Sequence, residues 1–428
     1  MSPCEDAPEE RRFEYNWIDG AEILEKYKPG GYHPIMIGDV LRDRYRIVDK
    51  LGYGSYSTVW LARDTCSKRY VAVKVGIADA PSHETKILQA LAQHHATSGE
   101  HPGRDAIPLP LDVFEISGPN GTHQCYTMPP ARCNLRDVSF CHLFPLEVTR
   151  ALSYRLTLAL AYTHLQGYVH GDVHLRNILV KLPSSLDQLS VEQFYKTYGE
   201  PDTSKITQRD GKPLPPNIPP RAVVPLSLGK EAEEFTLADA CVLLSDFGES
   251  FDPTYNPRRG ENCHTPLPAR PPEALFRPKA PLLFSADIWS LATCIWEILG
   301  MKAIFSSECY SADELASQQI DILGPVSKNW WEQWNERDEF FDMNGRPVEG
   351  RYVWPPIEQA FEEGIQKYRR LRQIGEYGTE ETVAILDLMR RMFAFLPEDR
   401  PTAEEVLKSE WMVKWCLPDF ERRLHPSK

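Results

Sequence analysis

His170-Gly171-Asp172-Val173-His174-Leu175-Arg176-Asn177 stands between a helical pattern and the short apolar run Ile178-Leu179-Val180. Upstream, Leu152, Leu156, Ala159, Leu160 and Leu165 recur at helical spacing and mark one face of that helix. Downstream, Asp246-Phe247-Gly248 follows a second strand pattern, Cys241–Leu244. Two strand-flanking loops therefore supply Asp172, Asn177 and Asp246. Oxygen ligands of this kind suit Mg²⁺, and a remaining carboxylate can accept a proton from an attacking hydroxyl. Either loop alone reads equally well as a turn carrying ordinary polar residues. Together, and with the features that precede them, they read as a site.

Those preceding features are β-like. Tyr45-Arg46-Ile47-Val48 alternates, and Leu51-Gly52-Tyr53-Gly54-Ser55-Tyr56-Ser57-Thr58-Val59-Trp60 carries a glycine turn between two β-branched runs. Glycines at such a hairpin let backbone N–H groups approach phosphates, although a GxG turn also occurs as a plain tight hairpin. A helix does not follow the glycines, which excludes a dinucleotide-binding fingerprint. Val71-Ala72-Val73-Lys74 then places an ammonium on an apolar strand, where a cation needs an anionic partner. Ser82 is a plausible N-cap for a helix through Glu84, Ile87, Leu88 and Leu91. Strands are expected at Leu109–Ile116 and His123–Met128, joined by Gly118-Pro119-Asn120-Gly121. After Leu146 helices dominate, at 285–299, 381–394 and 402–410.

The chain has 428 residues, 42% hydrophobic and 25% charged, with 61 acids against 48 lysines and arginines for a net charge of −13. That composition excludes a wholly disordered chain and a disulfide miniprotein. The acidic balance argues against generic binding to nucleic acid or an acidic membrane and suits a basic partner. Ten scattered cysteines form no CxxC pair, so a zinc knuckle is not expected. Met1–Arg12 is acidic without an apolar core, so a secretory signal is not expected there, and Leu282–Leu299 carries Asp287 and Glu297, as a buried helix would rather than a membrane span. An intracellular protein with reduced thiols, cytoplasmic or nuclear, is the expectation. Residues 1–31 read as a flexible N-terminal extension. Residues 183–239, with eight prolines and a Ser190-Val191-Glu192-Gln193 capping box, read as an insertion into the helical part. Trp330, Trp331, Trp334 and Trp354 read as packing.

Taken in order, the hairpin, Val-Ala-Val-Lys, His-x-Asp-x-x-x-x-Asn, Asp-Phe-Gly and Pro-Pro-Glu (271–273) resemble the eukaryotic protein kinases. Asp287-Ile288-Trp289-Ser290 and Asp399-Arg400-Pro401 extend that likeness. Tyr27-Lys28-Pro29-Gly30-Gly31-Tyr32-His33-Pro34 through Asp39, the string Lys50–Leu61 and Ile116–His123 are similar to the SR-protein kinases of the CMGC group, serine included at the third glycine position. The resemblance implies an α+β, bilobal protein-kinase-like fold. Its domains would be a small β-rich N-lobe over 32–131, a larger α-helical C-lobe over 132–416 with the insertion 183–239, and a tail 417–428.

The activity so implied is transfer of the γ-phosphoryl of ATP, with Mg²⁺, to protein Ser/Thr hydroxyls by a monomer, Arg/Ser-rich substrates among them. By the same resemblance Asp172 is the catalytic base. Lys74, paired with Glu84, holds the phosphates, and Arg176 assists. Asn177 and Asp246 are the metal ligands. Leu51, Gly52, Gly54, Ser57, Val59, Ala72, Met128, Pro129 and Ala131 surround the nucleotide, with Met128 as gatekeeper. Glu273 and Arg400 should form a buried ion pair.

Four departures stand out. Only ten residues separate Lys74 from Glu84. The loop reads His-Gly-Asp, without the arginine that usually meets an activation-loop phosphate, so activity without that phosphorylation is expected. His174 stands where a lysine is usual. Ala269 and Leu267-Pro268 differ from the SR-protein kinase pattern next to the phosphoacceptor site, which sets this chain apart from strict Arg/Ser-repeat specificity. Two rival readings remain: a small-molecule phosphotransferase of the aminoglycoside or choline type, whose loop resembles Val169–His174, and an ATP-binding pseudokinase scaffold.

Overall fold

The computed structural model describes residues 13–80, 83–93, 101–182, 184–306 and 311–424. The expected N-cap Ser82 and the cysteines 4 and 309 lie outside the described residues. The chain divides into two compact units. The first takes the described residues of Met1–Thr85, Pro110–Pro130 and Leu182–Leu228; the second takes Lys86–Leu109, Ala131–Lys181 and Gly229–Lys428.

The first unit is built on an antiparallel six-stranded sheet: β1 (Val40–Leu41), β2 (Tyr45–Tyr53), β3 (Ser57–Asp64), β4 (Tyr70–Gly76), β5 (Asp112–Gly118) and β6 (Gly121–Met128), in the order β1-β2-β3-β4-β6-β5. β5 starts three residues later than the sequence suggests, because Pro108 and Pro110 cannot donate to a ladder. The sheet has apolar partners on both faces. Ile47, Trp60, Val71, Val73, Val75 and Phe114 pack in one cluster. Val48, Leu61 and Tyr70 pack in another, with Leu182, Leu186, Phe194 and Leu228. Burial on both sides explains why β4 reads as a nearly continuous apolar run rather than an alternation.

That second cluster corrects the placement of the insertion. Although residues 183–239 interrupt the helical part in sequence, the stretch up to Leu228 is a component of the β unit. Its helix Val191–Tyr198 has the expected Ser190–Gln193 capping box and stops at Gly199. Phe194 on that helix is fully buried beside Tyr70, ring centroids 5.5 Å apart. The short hairpin Thr203–Lys205 with Arg221–Val223 follows.

The N-terminal extension is likewise no flexible entry over its described part. Tyr15, Leu24, Tyr27 and Tyr32 are buried with Ile206, Ile218 and Ala222, Asn16 N donates to Thr207 O, and Asn217 Nδ2 donates to Tyr27 O at 2.6 Å. Apolar side chains in both polar-looking segments found each other, which neither segment's local pattern announces.

The second unit is helical, around Leu146–Leu165 and the central helix Phe284–Leu299. Leu152, Leu156, Ala159 and Leu160 are buried as the periodicity requires, whereas Leu165, at the helix end, is exposed. A three-stranded sheet, Val242–Leu244, Ile178–Lys181 and Ala131–Asn134 in that order, frames the catalytic-type loops. Glu273 and Arg400 form the expected buried pair, at 2.7 and 2.9 Å. Trp330 and Trp334 are core residues beside Phe276, Val326 and Phe341. The expected tail is also structural: Leu417–Leu424 is a helix whose Asp419 accepts from Arg150 at 3.2 Å. Among the described residues no helix is long and apolar enough to cross a membrane.

Candidate active site

In the β unit, β2 and β3 meet in the glycine hairpin. Gly52 pairs with Val59, and Gly54 N donates to Ser57 O at 2.8 Å, which closes the turn. Ser57 is the buried first residue of β3, paired with Gly76. A serine therefore suits the third glycine position, because that residue is already strand. Val59 pairs with Lys74 across β3 and β4, and Ala72 pairs with Met128 across β4 and β6. Ala72 and Met128 are buried; Leu51, Val59, Pro129 and Ala131 are half-buried. Register alone thus brings Val59, Ala72, Lys74 and Met128 into adjacent strand positions.

Lys74 Nζ donates to Glu84 Oε1 at 2.7 Å. The ten-residue spacing is sufficient because the helix bearing Glu84, His83–Gln93, begins soon after β4 ends at Gly76. Tyr126, register partner of Lys74, donates its hydroxyl to the same Glu84 oxygen at 3.0 Å. Sequence reasoning missed this tyrosine; its strand was expected, and alternation along it could have placed it beside Lys74.

In the helical unit, the loop after Tyr168 is drawn onto the central helix. Asp287, buried, accepts from His170 N at 2.6 Å, Gly171 N at 2.9 Å and His164 Nε2 at 2.9 Å. Asp287 was legible only as part of a motif; its role as receptor for this loop was not. Burial disfavours the cation on the His170 imidazole, lowering its pKa; its Nε2 meets Ser245 O at 3.1 Å and its ring packs edge-on to Phe247.

Asn177 Nδ2 donates to Asp172 O at 3.0 Å and to Asp172 Oδ2 at 2.9 Å, and His174 Nε2 lies 3.3 Å from the same carboxylate oxygen. Asp172 Oδ1 is buried with no hydrogen-bond partner. Ser245 N and Oγ both donate to Asn177 O, at 2.8 and 3.0 Å, which ties Asp246 to the neighbourhood of Asn177. Asp246 is exposed and left-handed, with φ 65° and ψ 72°, a conformation aspartate tolerates better than most residues. Arg176 is exposed on the turn Leu175–Asn177.

The His-Gly-Asp departure has a steric reason. Gly171 has φ +77°, and a Cβ there would lie 2.8 Å from Glu249 O. The segment that follows Asp246 is braced by Glu249, which pairs with Arg258 and accepts from His264 Nδ1 at 2.8 Å. Thr265 Oγ1 donates to Gly171 O at 2.7 Å, a contact not foreseen from sequence. Ala269 is buried, and its carbonyl accepts from Ser290 Oγ at 2.8 Å.

Comparison with known proteins agrees with this arrangement. The protein kinase domain family matches residues 233–412. A serine/threonine protein kinase of Aspergillus fumigatus is 25% identical over 92% of this chain and 90% of its own length. The serine/threonine-protein kinase SRPK of Physarum polycephalum is 25% identical over 93% and 92%. SRSF protein kinase 3 of Homo sapiens is 34% identical over 37% of this chain and 29% of its own. Among solved structures, a kinase domain superposes with a TM-score of 0.59 at 16% identity, covering 89% of this chain and 98% of that one, which supports the bilobal kinase fold. The chain carries a match to the protein kinase domain and is similar along nearly its whole length to serine/threonine protein kinases, SRPK among them.

Proposed function

We propose that the chain transfers the γ-phosphoryl of ATP to Ser or Thr hydroxyls of a basic, Arg/Ser-rich protein. The observation that carries the reading is the Asp172 carboxylate. One of its oxygens is held by Asn177 and His174, and the other is buried without a donor. A buried acceptor left open is costly unless a ligand completes it, and a substrate hydroxyl would.

Roles follow from the chemistry of each group. Asp172 orients the hydroxyl and takes its proton. Lys74, held by Glu84, carries charge for the α- and β-phosphates, and the hairpin residues Gly52, Gly54 and Ser57 cover them. Leu51, Val59, Ala72 and Met128 are apolar surfaces for the base. Pro129 offers a carbonyl and Ala131 an N–H, so the prolines remove no needed donor. Asn177 and Asp246 present oxygen donors, a set that fits Mg²⁺. With the Asn177 Nδ2 donating to Asp172, its Oδ1 is the end that would meet the metal. Bound Mg²⁺ supplies charge neutralisation on the phosphates. Arg176 is proposed to supply part of the cation that a lysine at 174 would bring. The Glu249–Arg258–His264 brace supports activity without activation-loop phosphorylation.

The deciding assay offers ATP and Mg²⁺ with an Arg/Ser-repeat protein, a generic basic protein, and choline or an aminoglycoside. Phosphate on serine of the first is expected. Transfer only to the small molecules, or none with ATP bound, would overturn the proposal in favour of one of its two rivals. Loss of activity after phosphatase treatment would overturn the activation-loop part alone.

A further inference from the structure

We propose that Tyr32, assisted by Lys26, is a positioning residue for nucleotide phosphates, because it fixes the peptide planes at the tip of the glycine hairpin. The inference rests on the reading of that hairpin as a phosphate cover. Tyr32 Oη donates to Gly54 O at 2.5 Å, and Lys26 Nζ donates to Ser55 O at 3.2 Å. In a planar trans peptide the carbonyl and the N–H point in opposite directions. The Gly54 carbonyl shares its plane with the Ser55 N–H, and the Ser55 carbonyl with the Tyr56 N–H. Holding the two carbonyls from the N-terminal segment therefore turns two successive N–H groups toward the other side. Neither N–H donates to a backbone carbonyl among the described residues. Successive unpaired N–H groups form an anion-binding concavity.

Apart from Gly54 N to Ser57 O at 2.8 Å and Ile77 N to Tyr56 O at 2.9 Å, the tip has no backbone bond outside the strand ladder among the described residues. A Cβ at Gly52 or Gly54 would find nothing within 4 Å. Tyr32, by contrast, is well anchored. Its N donates to Lys26 O at 2.9 Å, its carbonyl accepts from Asn120 Nδ2 at 2.7 Å, and its ring packs edge-on to Tyr27 at 5.5 Å. Burial and the nearby Glu22 push its phenol up to about 12, so it remains a donor across the working pH range.

Tyr32→Phe keeps the ring and removes one O–H. In the full chain, ATP and ADP affinity should fall about fivefold, the equivalent of one neutral hydrogen bond of about 1 kcal/mol. The KM for ATP should rise by the same factor, while kcat, the KM for protein substrate and adenosine affinity stay unchanged. Lys26→Gln should act in the same direction. Equal weakening of adenosine and ATP would show a merely structural role and overturn the inference, as would unchanged ATP binding in both variants. A wild-type chain that binds no ATP would overturn the proposed function and this role together. Wild-type binding with unaltered variants would overturn this role alone.

Discussion

The catalytic-type loop of the helical unit and the glycine hairpin of the β unit are held by partners of different kinds. The loop from Tyr168 to Asn177 takes its shape from bonds among its own residues, Asn177 to Asp172 above all, and from Asp287, Ser245, Ser250 and Thr265, which stand in or beside later motifs of the same unit. The hairpin is attached to residues of the N-terminal segment, which carry no motif that the sequence pattern marks as catalytic. Glu22 pairs with the buried Lys50 at its base, and Lys26 and Tyr32 bind its tip carbonyls. The segment carrying those residues is itself tied to the insertion 183–239, here the spacer, through Tyr27 and Asn217, 190 positions apart. A short loop whose partners stand in other motifs can be read from the sequence along with them. A hairpin tip outside the strand ladder takes its support from side chains that no local pattern marks.

The largest expected effect tests the motif-bearing member of this pair. Asp172→Asn keeps an oxygen and the shape of the loop but loses the proton acceptor. Turnover should fall by about 10²–10⁴-fold, with ATP affinity and thermal midpoint unchanged. A variant that retains turnover would remove Asp172 from the chemistry. One that loses stability in step with activity would show that Asp172 serves the packing of the loop and not only the chemistry.

Two further substitutions compare what holds each unit together. Arg400 makes five hydrogen bonds: two to Glu273 and three to the carbonyls of Ser285, Ala394 and Phe395. Arg400→Met strands the buried Glu273 and should cost about 3–5 kcal/mol, read by chemical denaturation. Phe194→Ala empties a fully buried position in the spacer and should also cost about 3–5 kcal/mol, toward the lower end if the helix settles inward. Hydrogen exchange separates them. Protection should be lost in Phe284–Leu299 for the first and in β2–β4 for the second. A Phe194→Ala protein as stable as wild type would mean that the spacer adds nothing to the sheet it lies on.

That contrast also explains what the sequence disclosed. The β-then-α order, the hairpin, Lys74, Asp172, Asn177 and Asp246 are legible because each is a residue type set at short spacing in a local pattern. The Glu273–Arg400 pair was legible through two motifs. The integration of residues 13–36 and 182–228 into the β unit was not, because proline-rich segments without periodicity give no local sign of the side chains they bury. Tyr27, Tyr32, Ile206 and Ile218 acquire meaning only once they share a cluster. Tyr126 and Asp287 lay in correctly expected elements, but their roles depend on partners in other elements.

Asp49 gives the finest test of whether the spacer belongs to the sheet. It lies in β2 and is 1% exposed, with Oδ1 accepting from Lys50 N at 2.8 Å and Oδ2 unpartnered. The spacer's Tyr195 donates to the adjacent Val48 carbonyl at 2.8 Å and feels the Asp49 charge. Burial pushes the Asp49 carboxyl from 3.8 up to about 6. Between those two values the folded chain keeps a proton that the unfolded chain has released, so this group's contribution to stability falls as pH rises through the window. Below it both states are protonated and no penalty remains. Asp49→Asn cannot ionise, so its stability relative to wild type should improve by about 2–3 kcal/mol between pH 4 and pH 8. Taking the difference at each pH cancels every other titrating group the two proteins share. In a Phe194→Ala background, where the spacer packs less tightly, the same difference should shrink as Asp49 regains water. A pH-independent gap between Asp49→Asn and wild type would mean that the carboxylate is already hydrated, and with it that the spacer does not close over β2.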